Sequence, residues 1–321
     1  MNRYPPAIFG ILVGCTLVFG APQAVAADIC GHACLESIGK AYMNAYLHHN
    51  PKLAAIARDV KYTEDNVPLN LPDGTWETVT RQVGPVLEMS DPKTGEIGIF
   101  TVIMQRKIPG YLAVRLKVTH RVITQVEQLV ATKREVGIGP FQPDVTKYVR
   151  NPIFGVMRAP LKPGTATPRL EMIKLANGYY DTLQLDDGVM HTEFYPKCNR
   201  IENGLVTTSG SFGAPGCAAQ LKLGFFKWDD RVRDRRYFLV DQRKGLVMGS
   251  TFIDHRGVLG KYKWTDGTVH ESPIQEPQTW YALEVWKVRD GEIGPIVADF
   301  INVPYYMKSA WKEQQGSEVS R

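Results

Sequence analysis

The chain lacks the short motifs that mark several large enzyme classes. Its seven histidines are scattered and form neither an H-x-x-x-H nor an H-E-x-x-H pattern, which argues against a metal site. The glycine-rich stretch 209–213 does not match a phosphate-binding loop, and no G-x-S-x-G nucleophile elbow occurs. The sequence therefore predicts no metal site, no P-loop and no serine-hydrolase chemistry.

Charge of one sign is nowhere concentrated. The 321 residues include 38 lysines and arginines against 33 aspartates and glutamates, with no run of five or six like charges. A nucleic-acid-binding domain would concentrate its basic residues on one face. We therefore expect an ordinary solvated surface and no nucleic-acid partner. With 44% hydrophobic residues, the chain has the composition and length of about two globular domains.

No hydrophobic run approaches the length of about 20 residues that a membrane-spanning helix needs. An apolar core at 7–20 follows Arg3 and precedes the small residues 25–27. This order predicts a secretory signal peptide at 1–27, hence a secreted or periplasmic protein without a membrane span. A second interpretation stays open, because the stretch ending at Cys15 also resembles a bacterial lipoprotein box, which would anchor the chain through a lipid.

Cysteine is scarce, with five in the chain and four after removal of the expected signal. Zinc-binding thiolates come as closely grouped C-x-x-C pairs with histidine partners, and no such group occurs. An even number of cysteines in an exported chain predicts disulfides, for which the sequence alone permits three pairings. We predict Cys30 with Cys34 and Cys198 with Cys217, because local pairing closes short loops within each half of the chain.

The first half of the mature chain has the pattern of helices followed by strands. Apolar and aromatic residues recur every three or four positions from Leu35 to His49, which predicts a helix ended by Asn50-Pro51. Residues 53–57 allow a short second helix. The predicted strands are 75–79, 86–89, 96–105, 111–119 and 122–130. This order is typical of the α+β class.

The same pattern restarts after residues 138–168, a segment rich in proline and glycine that we interpret as a linker. A helix is predicted at 170–183, and the predicted strands are 220–226, 232–240, 246–254, 279–288 and 293–303. The sequence thus predicts a first module at 28–137, a second module at 169–311 and a tail at 312–321.

Short matches in consistent order link the two halves. The matched pairs are Glu64 with Glu202, the turn 91–95 with 241–245, and 116–118 with 286–288. Their separation only grows along the chain, as insertions in a second copy would produce. The sequence therefore predicts a tandem duplication, in which each module is an N-terminal helical hairpin packed on a curved antiparallel sheet.

Three stretches carry a resemblance to a known family. They are Tyr62-Thr63-Glu64-Asp65-Asn66, Cys198-Asn199-Arg200-Ile201-Glu202-Asn203-Gly204, and Val232-Arg233-Asp234-Arg235-Arg236 followed by Val240-Asp241. With the order of helices and strands, they make nearly the whole mature chain similar to the nuclear-transport-factor-like, or SnoaL-like, cone fold. The narrower resemblance is to a family of secreted fungal and bacterial proteins of unknown function.

The wider superfamily contains SnoaL-like cyclases, scytalone dehydratase and ketosteroid isomerase. The resemblance implies cone-shaped modules, each with a pocket, and general acid–base chemistry by His, Asp and Tyr without a metal or organic cofactor. No catalytic motif of these enzymes matches this chain residue by residue. One fold hosts many functions, so the resemblance bears on architecture more than on activity.

Candidate site residues are those that would line the cones. Burial in an apolar cavity raises the pKa of a carboxyl and suits it to proton transfer, which favours Glu202 and Glu64. The predicted catalytic residues are Glu202, His255 and Tyr179. The predicted ligand-binding residues are Tyr180, Asn203, Arg233 and Arg235 in the second module, and Tyr42, Tyr46, Glu64, Trp76 and Arg115 in the first.

Structural interpretations of the same residues stay open. Glu202 is equally suited to an ion pair with Arg200, Arg235 or Arg236, and its repetition as Glu64 favours that view. Strand alternation predicts that Arg233 and Arg235 share a face, where they would hold an anion or bind neighbouring strands. His255, at a predicted strand end, would be an acid–base group or an inert surface residue.

The sequence predicts an exported, cofactor-free lyase or isomerase acting on a small, partly apolar molecule, for instance an aromatic or carbonyl compound. The alternative is a non-catalytic ligand-binding or scaffold protein of the cell envelope. We expect the two modules to pack on each other within one chain, with a homo-oligomer as a further option.

Overall fold

The computed structural model describes residue 1 and residues 30–137, 139–208 and 215–311. The expected signal peptide with Cys15, the glycine-rich stretch 209–213 and the predicted tail 312–321 lie outside the described residues. None of the helices in the described part is long and apolar enough to cross a membrane.

The first half of the chain builds a six-stranded sheet covered by one helix. Its elements are α1 (His32–Leu47), a 3-10 turn (Pro51–Leu53), β1 (Ile56–Glu64), β2 (Val67–Leu69), a second 3-10 turn (Gly74–Glu77), β3 (Val79–Asp91), β4 (Glu96–Gln105), β5 (Ile108–Thr119) and β6 (Val122–Ala131). The strand order is β2-β1-β6-β5-β4-β3. β1 runs parallel to β6, while the other neighbours are antiparallel.

Four short or medium helices connect this sheet to the next. They are α2 (Lys133–Val136), α3 (Val145–Val149), α4 (Ile153–Arg158) and α5 (Arg169–Leu185). The expected linker is therefore partly helical. Tyr148, Phe154 and Met157 from this segment are buried in the core between the two sheets.

The second half builds another six-stranded sheet with the same order of strands. Its elements are β7 (Arg200–Glu202), β8 (Leu205–Val206), α6 (Cys217–Lys222), β9 (Arg231–Asp241), β10 (Leu246–His255), β13 (Gln278–Arg289) and β14 (Glu292–Val303). The order is β8-β7-β14-β13-β10-β9, and β7 runs parallel to β14. A separate hairpin, β11 (Lys261–Lys263) and β12 (Val269–Glu271), is inserted between β10 and β13.

The α+β class is confirmed, with three corrections of detail. Each large sheet is mixed, because its first strand pairs in parallel with its last. The second helix expected at 53–57 is wrong, since Ile56 already pairs with Ile123 in the sheet. The strand expected at 220–226 is also wrong, because its first residues belong to α6, whose Ala, Gln, Leu and Lys are good helix formers.

Each sheet is buried on both faces. Along β5, Leu112, Val114 and Leu116 pack under α1, while Tyr111 and Ala113 point to the opposite face and contact the second sheet. The second sheet is covered in the same way by α5 and by the first sheet. Period-two alternation thus produces four layers, helix, sheet, sheet and helix.

A reciprocal pair of aspartates joins the two sheets. The Asp91 carboxylate accepts a hydrogen bond from the Val240 backbone N–H at 2.9 Å, and the Asp241 carboxylate accepts one from the Ser90 N–H at 3.3 Å. Both aspartates end a strand before the same type of turn. Such reciprocity, in which each half makes the other's contact, is the pattern of a two-fold interface.

The centre of the interface also contains a buried ionic cluster. Glu127 is fully buried and binds the Arg236 guanidinium, with Arg115 at 3.5 Å and the Tyr281 hydroxyl donating at 2.6 Å. Arg115 in turn binds Glu96 through two hydrogen bonds of 2.9 and 2.7 Å. Burial alone would raise the pKa of Glu127, but the two guanidinium groups outweigh it and lower that pKa.

The end of the described chain is fastened to the first sheet. The Asn66 side chain donates to the Lys308 carbonyl at 2.9 Å and accepts from the Ala310 N–H at 2.9 Å. Trp311 is fully buried, and its indole N–H donates to the Thr63 hydroxyl at 3.1 Å. The segment after β14 thus crosses back to the β1–β2 turn.

Both predicted disulfides, Cys30–Cys34 and Cys198–Cys217, are confirmed. The first precedes and enters α1. The second ties the chain just before β7 to the start of α6, across a sequence separation of 19 residues. Each bridge lies within one half of the chain, as the local pairing requires.

Asp299 generates a prediction about pH. This residue of β14 is fully buried in the inter-sheet core, neither of its side-chain oxygens has a hydrogen-bond partner among the described residues, and burial raises its pKa to about 8. The native state therefore keeps a proton that the unfolded chain releases near pH 4. Between those values stability falls as pH rises, by up to about 1.4 kcal/mol per pH unit for this group.

We expect Asp299→Asn to raise the midpoint of thermal unfolding at pH 8 and to leave it nearly unchanged at pH 4, where both side chains are neutral. Asp59→Asn, at an exposed position of β1, is the matched control and should shift neither midpoint. Equal shifts at both pH values would contradict a protonated native Asp299.

Candidate functional site

The polar stretch around Glu202 is a tight β-hairpin. Asn203 and Gly204 join β7 to β8 with φ angles of 42° and 79°, as a two-residue turn of the type that favours Asn-Gly. A Cβ atom on Gly204 would also meet the Tyr111 hydroxyl at 2.2 Å, so the turn lies directly against the first sheet. The hairpin fixes where the side chains of β7 point.

The Asn203 side chain stabilises this hairpin through hydrogen bonds to neighbouring backbone groups. Its side chain donates to the Phe300 carbonyl at 3.0 Å and to the Pro140 carbonyl at 3.2 Å, and accepts from the Phe300 N–H at 3.0 Å. All of its hydrogen-bonding capacity toward the backbone is used between β7, β14 and the connecting segment. Asn203 therefore holds the hairpin in place, and this role differs from the ligand contact predicted for it.

Arg200 and Glu202 lie on one face of β7, under α5. The Arg200 guanidinium is almost fully buried and donates to the Tyr179 hydroxyl at 3.0 Å and to Gln220 Oε1 at 2.7 Å. Its Nε lies 3.3 Å from Glu202 Oε1, and the Glu202 side chain is 18% exposed. Of the three arginines considered for an ion pair with Glu202, the structure selects Arg200.

These residues border a small cavity between the second sheet and α5. Its volume is about 20 Å³, which is room for about one water molecule. The lining residues are Tyr179, Leu183, Arg200, Glu202, Phe226, Asp229, Ile253, Trp280, Ala282, Glu284, Ala298 and Phe300. The remaining interior is filled by side chains, and Glu202 lies at the partly exposed edge.

Glu284 is the member of this site that the sequence analysis missed. It is 4% exposed on β13, on the face that also carries Trp280 and Trp286, and it accepts a hydrogen bond from the Tyr180 hydroxyl at 3.0 Å. Burial and, next, the nearby Glu202 charge raise its pKa to about 8, and Arg200 opposes the shift. Glu284 is therefore protonated at neutral pH.

His255 lies behind the cavity, at the end of β10. Its Nδ1 is 3.2 Å from an Asp229 carboxylate oxygen and 3.1 Å from the Trp228 carbonyl. Both neighbours are acceptors, so Nδ1 of the neutral ring must carry the proton, and Nε2 is left as an acceptor. In the described residues Nε2 has no hydrogen-bond partner.

The expectation that His255 is a surface residue is wrong. The ring is fully buried, because Trp228 and Trp280 pack against it with ring centroids 5.5 and 4.5 Å away. Burial raises the pKa of Asp229, while its hydrogen bond with His255 lowers it. Since Asp229 lines the cavity, His255 is connected to the site through this carboxyl group.

The arginines of β9 are engaged elsewhere. The expectation that Arg233 and Arg235 share a face is wrong, because the four residues 233–236 of β9 lie opposite only three residues, 250–252, of β10, and Asp234 at this bulge has a φ of 52°. Arg233 binds Asp254 through two hydrogen bonds of 2.8 and 3.0 Å. Arg235 turns to α5 and pairs with Asp181.

The space between the first sheet and α1 contains a network of polar side chains around Glu64. The Glu64 carboxylate accepts hydrogen bonds from Tyr62, from the Thr75 N–H and hydroxyl, and from Gln128, and burial raises its pKa. The Tyr42 hydroxyl donates to Gln128 at 3.0 Å and the Tyr46 hydroxyl to Thr75 at 2.8 Å.

Two first-module candidates complete this picture. The ring of Trp76 packs edge-on between the two tyrosines of α1. Arg115 points to the opposite face of its sheet and belongs to the ionic cluster between the sheets. The structure thus brings Tyr179, Tyr180, Glu202 and His255 around one cavity, and separates them from Asn203, Arg233, Arg235 and the first-module residues.

Within the described residues, no group of three or more His, Cys, Asp or Glu side chains is arranged to hold a metal ion. In comparisons with known proteins, a family model described as a domain of unknown function (DUF8021) matches residues 165–300. No curated protein matches the chain. The matched region contains α5, the Asn203-Gly204 hairpin and every residue that lines the cavity.

The site predicts a specific coupling between two carboxyl groups. Because the Glu202 charge helps to raise the pKa of Glu284, Glu202→Gln should lower the pKa of Glu284 toward its ordinary range. The measurement is carbon NMR of protein with labelled glutamate side chains, titrated across neutral pH, with Glu284→Gln to assign the signal.

Glu292→Gln, in the same sheet but outside the cavity, is the control and should leave the Glu284 titration in place. A Glu284 signal that titrates near pH 4 in the unmodified protein would contradict the protonated carboxyl group.

Proposed function

We propose that this protein is an exported enzyme that performs cofactor-free general acid–base chemistry, as a lyase or isomerase, in the cone of its second module. The observation that carries the proposal is the pair of carboxyl groups at one cavity. Glu284 is buried and protonated, whereas Glu202 is partly exposed and ion-paired with Arg200. Neighbouring groups whose environments separate their proton affinities suit the roles of acid and base.

The proposed roles follow from the protons that each group holds. Glu284 is the general acid, since it carries a proton at neutral pH and is held by Tyr180. Glu202 is the base at the open edge, oriented by Arg200. Tyr179, which already accepts a hydrogen bond from Arg200, donates its own hydroxyl proton to an oxygen of the substrate. His255, with Nε2 free to accept, returns protons through Asp229.

The proposed substrate is a small, partly apolar molecule with a carbonyl or aromatic group. Phe226, Trp280 and Phe300 give the cavity apolar walls, and the arginine and carboxyl groups converge on one side. Because about 20 Å³ is far smaller than such a molecule, binding requires lining side chains to move. Glu202 at the edge is the side chain best placed to do so.

We also propose that the chain is a tandem duplication of a SnoaL-like cone module, with boundaries as predicted from the sequence. Several observations support this. Both sheets have the same strand order with one parallel pair, and both β-hairpins after the first strand use a turn with two positive φ angles. Asp91 with Lys117 and Asp241 with Lys287 also occupy matching positions of the ladders.

Export is part of the proposal. The two disulfides support it, because such bonds persist in oxidising compartments and are rare in the cytosol. The order of charged, apolar and small residues at the start of the chain supports it independently.

One observation favours a second candidate function, a binding or scaffold protein of the envelope. The cavity of about 20 Å³ leaves little room for a substrate, and Arg200 is held by protein partners on all sides. In that case the carboxyl groups would stabilise the cone without reacting.

The experiment that separates the two functions measures proton exchange. We expect the protein to catalyse deuterium uptake from heavy water into a carbon–hydrogen bond next to a carbonyl, in a panel of small aromatic and aliphatic carbonyl compounds followed by proton NMR. Glu202→Gln should reduce the rate at least about 100-fold, since a positioned general base contributes roughly that factor.

Glu64→Gln is the matched control, because Glu64 holds the same position in the first sheet. It should leave the exchange rate within about twofold, once its thermal midpoint shows that the chain is folded. If Glu202→Gln and Glu64→Gln had the same effect on every compound that exchanges, the second cone would not be the catalytic site.

A further inference from the structure

A short segment before α5 fills a groove at one end of the second sheet. Leu161 packs over the turn after β9, where a Cβ on Gly245 would lie 2.9 Å from its side chain. The Leu161 N–H donates to the Arg243 carbonyl at 2.8 Å. The Leu161 side chain, packed against Gly245, and the backbone hydrogen bond of the same residue thus anchor the segment.

Further contacts extend along the same groove. The Lys287 ammonium group donates to the Ala159 carbonyl at 2.7 Å. On the other side of the anchor, the Asp290 N–H donates to the Thr165 carbonyl and the Gly291 N–H to the Thr167 hydroxyl. The groove therefore binds a segment of about eight residues through main-chain and side-chain groups, and this segment includes a turn at 162–165 in which the Thr165 N–H donates to the Lys162 carbonyl.

The first sheet has the same groove at the same place. Gly95 follows β3 as Gly245 follows β9, with φ angles of 67° and 62°. Lys117 takes the ladder position of Lys287, since each lysine pairs with the first residue of the strand that follows this turn. Gly95, Lys117 and Val118 line a groove of about 320 Å³.

The two grooves differ in what lies over the glycine. Among the described residues, only the Val118 carbonyl group comes within 4 Å of a Cβ built on Gly95. The Lys117 ammonium group, which has no counterpart of Ala159, donates to the Thr94 carbonyl of its own turn. The volume of about 320 Å³ matches an aliphatic side chain with its flanking backbone and lies in the range of ligand pockets.

We propose that the groove of the first sheet binds a peptide segment of a partner protein, of the chemistry of residues 158–168. The partner supplies an aliphatic residue of the size of leucine, which packs against Gly95 as Leu161 packs against Gly245. Its backbone N–H donates to the Lys93 carbonyl, and the carbonyl two residues earlier accepts from Lys117. A proline directly before the anchor residue, like Pro160 before Leu161, restricts the backbone of such a segment and reduces the entropy lost on binding.

The test uses a fluorescent peptide with the sequence of residues 158–168, added to the full chain and followed by fluorescence anisotropy. We expect saturable binding at peptide concentrations below about 1 mM. A peptide in which the residue corresponding to Leu161 is alanine should bind at least about tenfold more weakly, because the anchor loses several buried carbon groups.

Two protein variants locate the binding. Lys117→Met removes the ammonium donor and should weaken binding several-fold, whereas Lys107→Met, an exposed lysine at the other end of β5, should not change it. Thr119→Trp places a bulky ring in the groove and should abolish binding without lowering the thermal midpoint. Thr119→Trp still tests whether the peptide binds in this groove if Lys117→Met destabilises the turn.

Equal affinities of the leucine and alanine peptides, or full binding by the Thr119→Trp protein, would overturn the proposal. So would binding that appears only after the residues before Cys30 are removed, because Cys30 lines the groove and the preceding chain would then be its occupant. Absence of saturable binding up to about 1 mM would equally contradict a peptide site.

Discussion

The whole architecture depends on the burial of two sheets face to face. Each sheet has a helix on one side and the other sheet on the opposite side, so neither face of a central strand reaches water. Period-two alternation, which in a half-exposed sheet would separate apolar from polar residues, here sends both sets inward. Every polar side chain on these strands must therefore find a partner or lose its charge.

The molecule uses both solutions. Glu127 keeps its charge between two guanidinium groups and a tyrosine hydroxyl. Asp299, which pairs with Leu283 in the ladder between β13 and β14, has no such side-chain partner among the described residues and is neutral in the native state at neutral pH. The same logic operates under α5, where Glu284 gives up its charge and Glu202 retains one beside Arg200. The candidate chemistry is thus a local result of the packing that holds the fold together.

The two sheets have the same strand order but differ in the polar groups that they bury under their helices. In the first, Glu64 meets four donor groups from the protein, and aromatic rings of α1 close around it. In the second, Arg200 takes the place of Tyr62, and Glu284 that of Val114, in the sheet register. Together with Ala298 in the place of Gln128, these differences on one face distinguish a self-satisfied core from the site around Glu202 and Glu284.

Much of this could be predicted from the sequence, because periodicity indicates the α+β class and the order of helices and strands, and the preference for short closed loops favours the two disulfide pairs. The parallel pairing of first and last strands could not, since it depends on which edges meet in space. His255 looked exposed because its cover comes from Trp228 and Trp280, both distant in the chain. A bulge at Asp234 places Arg233 on the face opposite to Arg235, and only the pairing register of β9 with β10 reveals this. Glu284 could have been predicted as a site residue, because strand alternation places it on the same face as Trp280 and Trp286.

The segment after β14 that ends at Trp311 has a consequence for the order in which the chain folds. The buried Trp311 indole and the Asn66 side chain join the β1–β2 turn to residues that follow it by more than 200 positions in the chain. Chains usually fold in the order in which they emerge, with the N-terminal part first. The β1–β2 turn gains these contacts only after residues 308–311 have been synthesised. Completion of the first sheet is therefore coupled to folding of the second half of the chain.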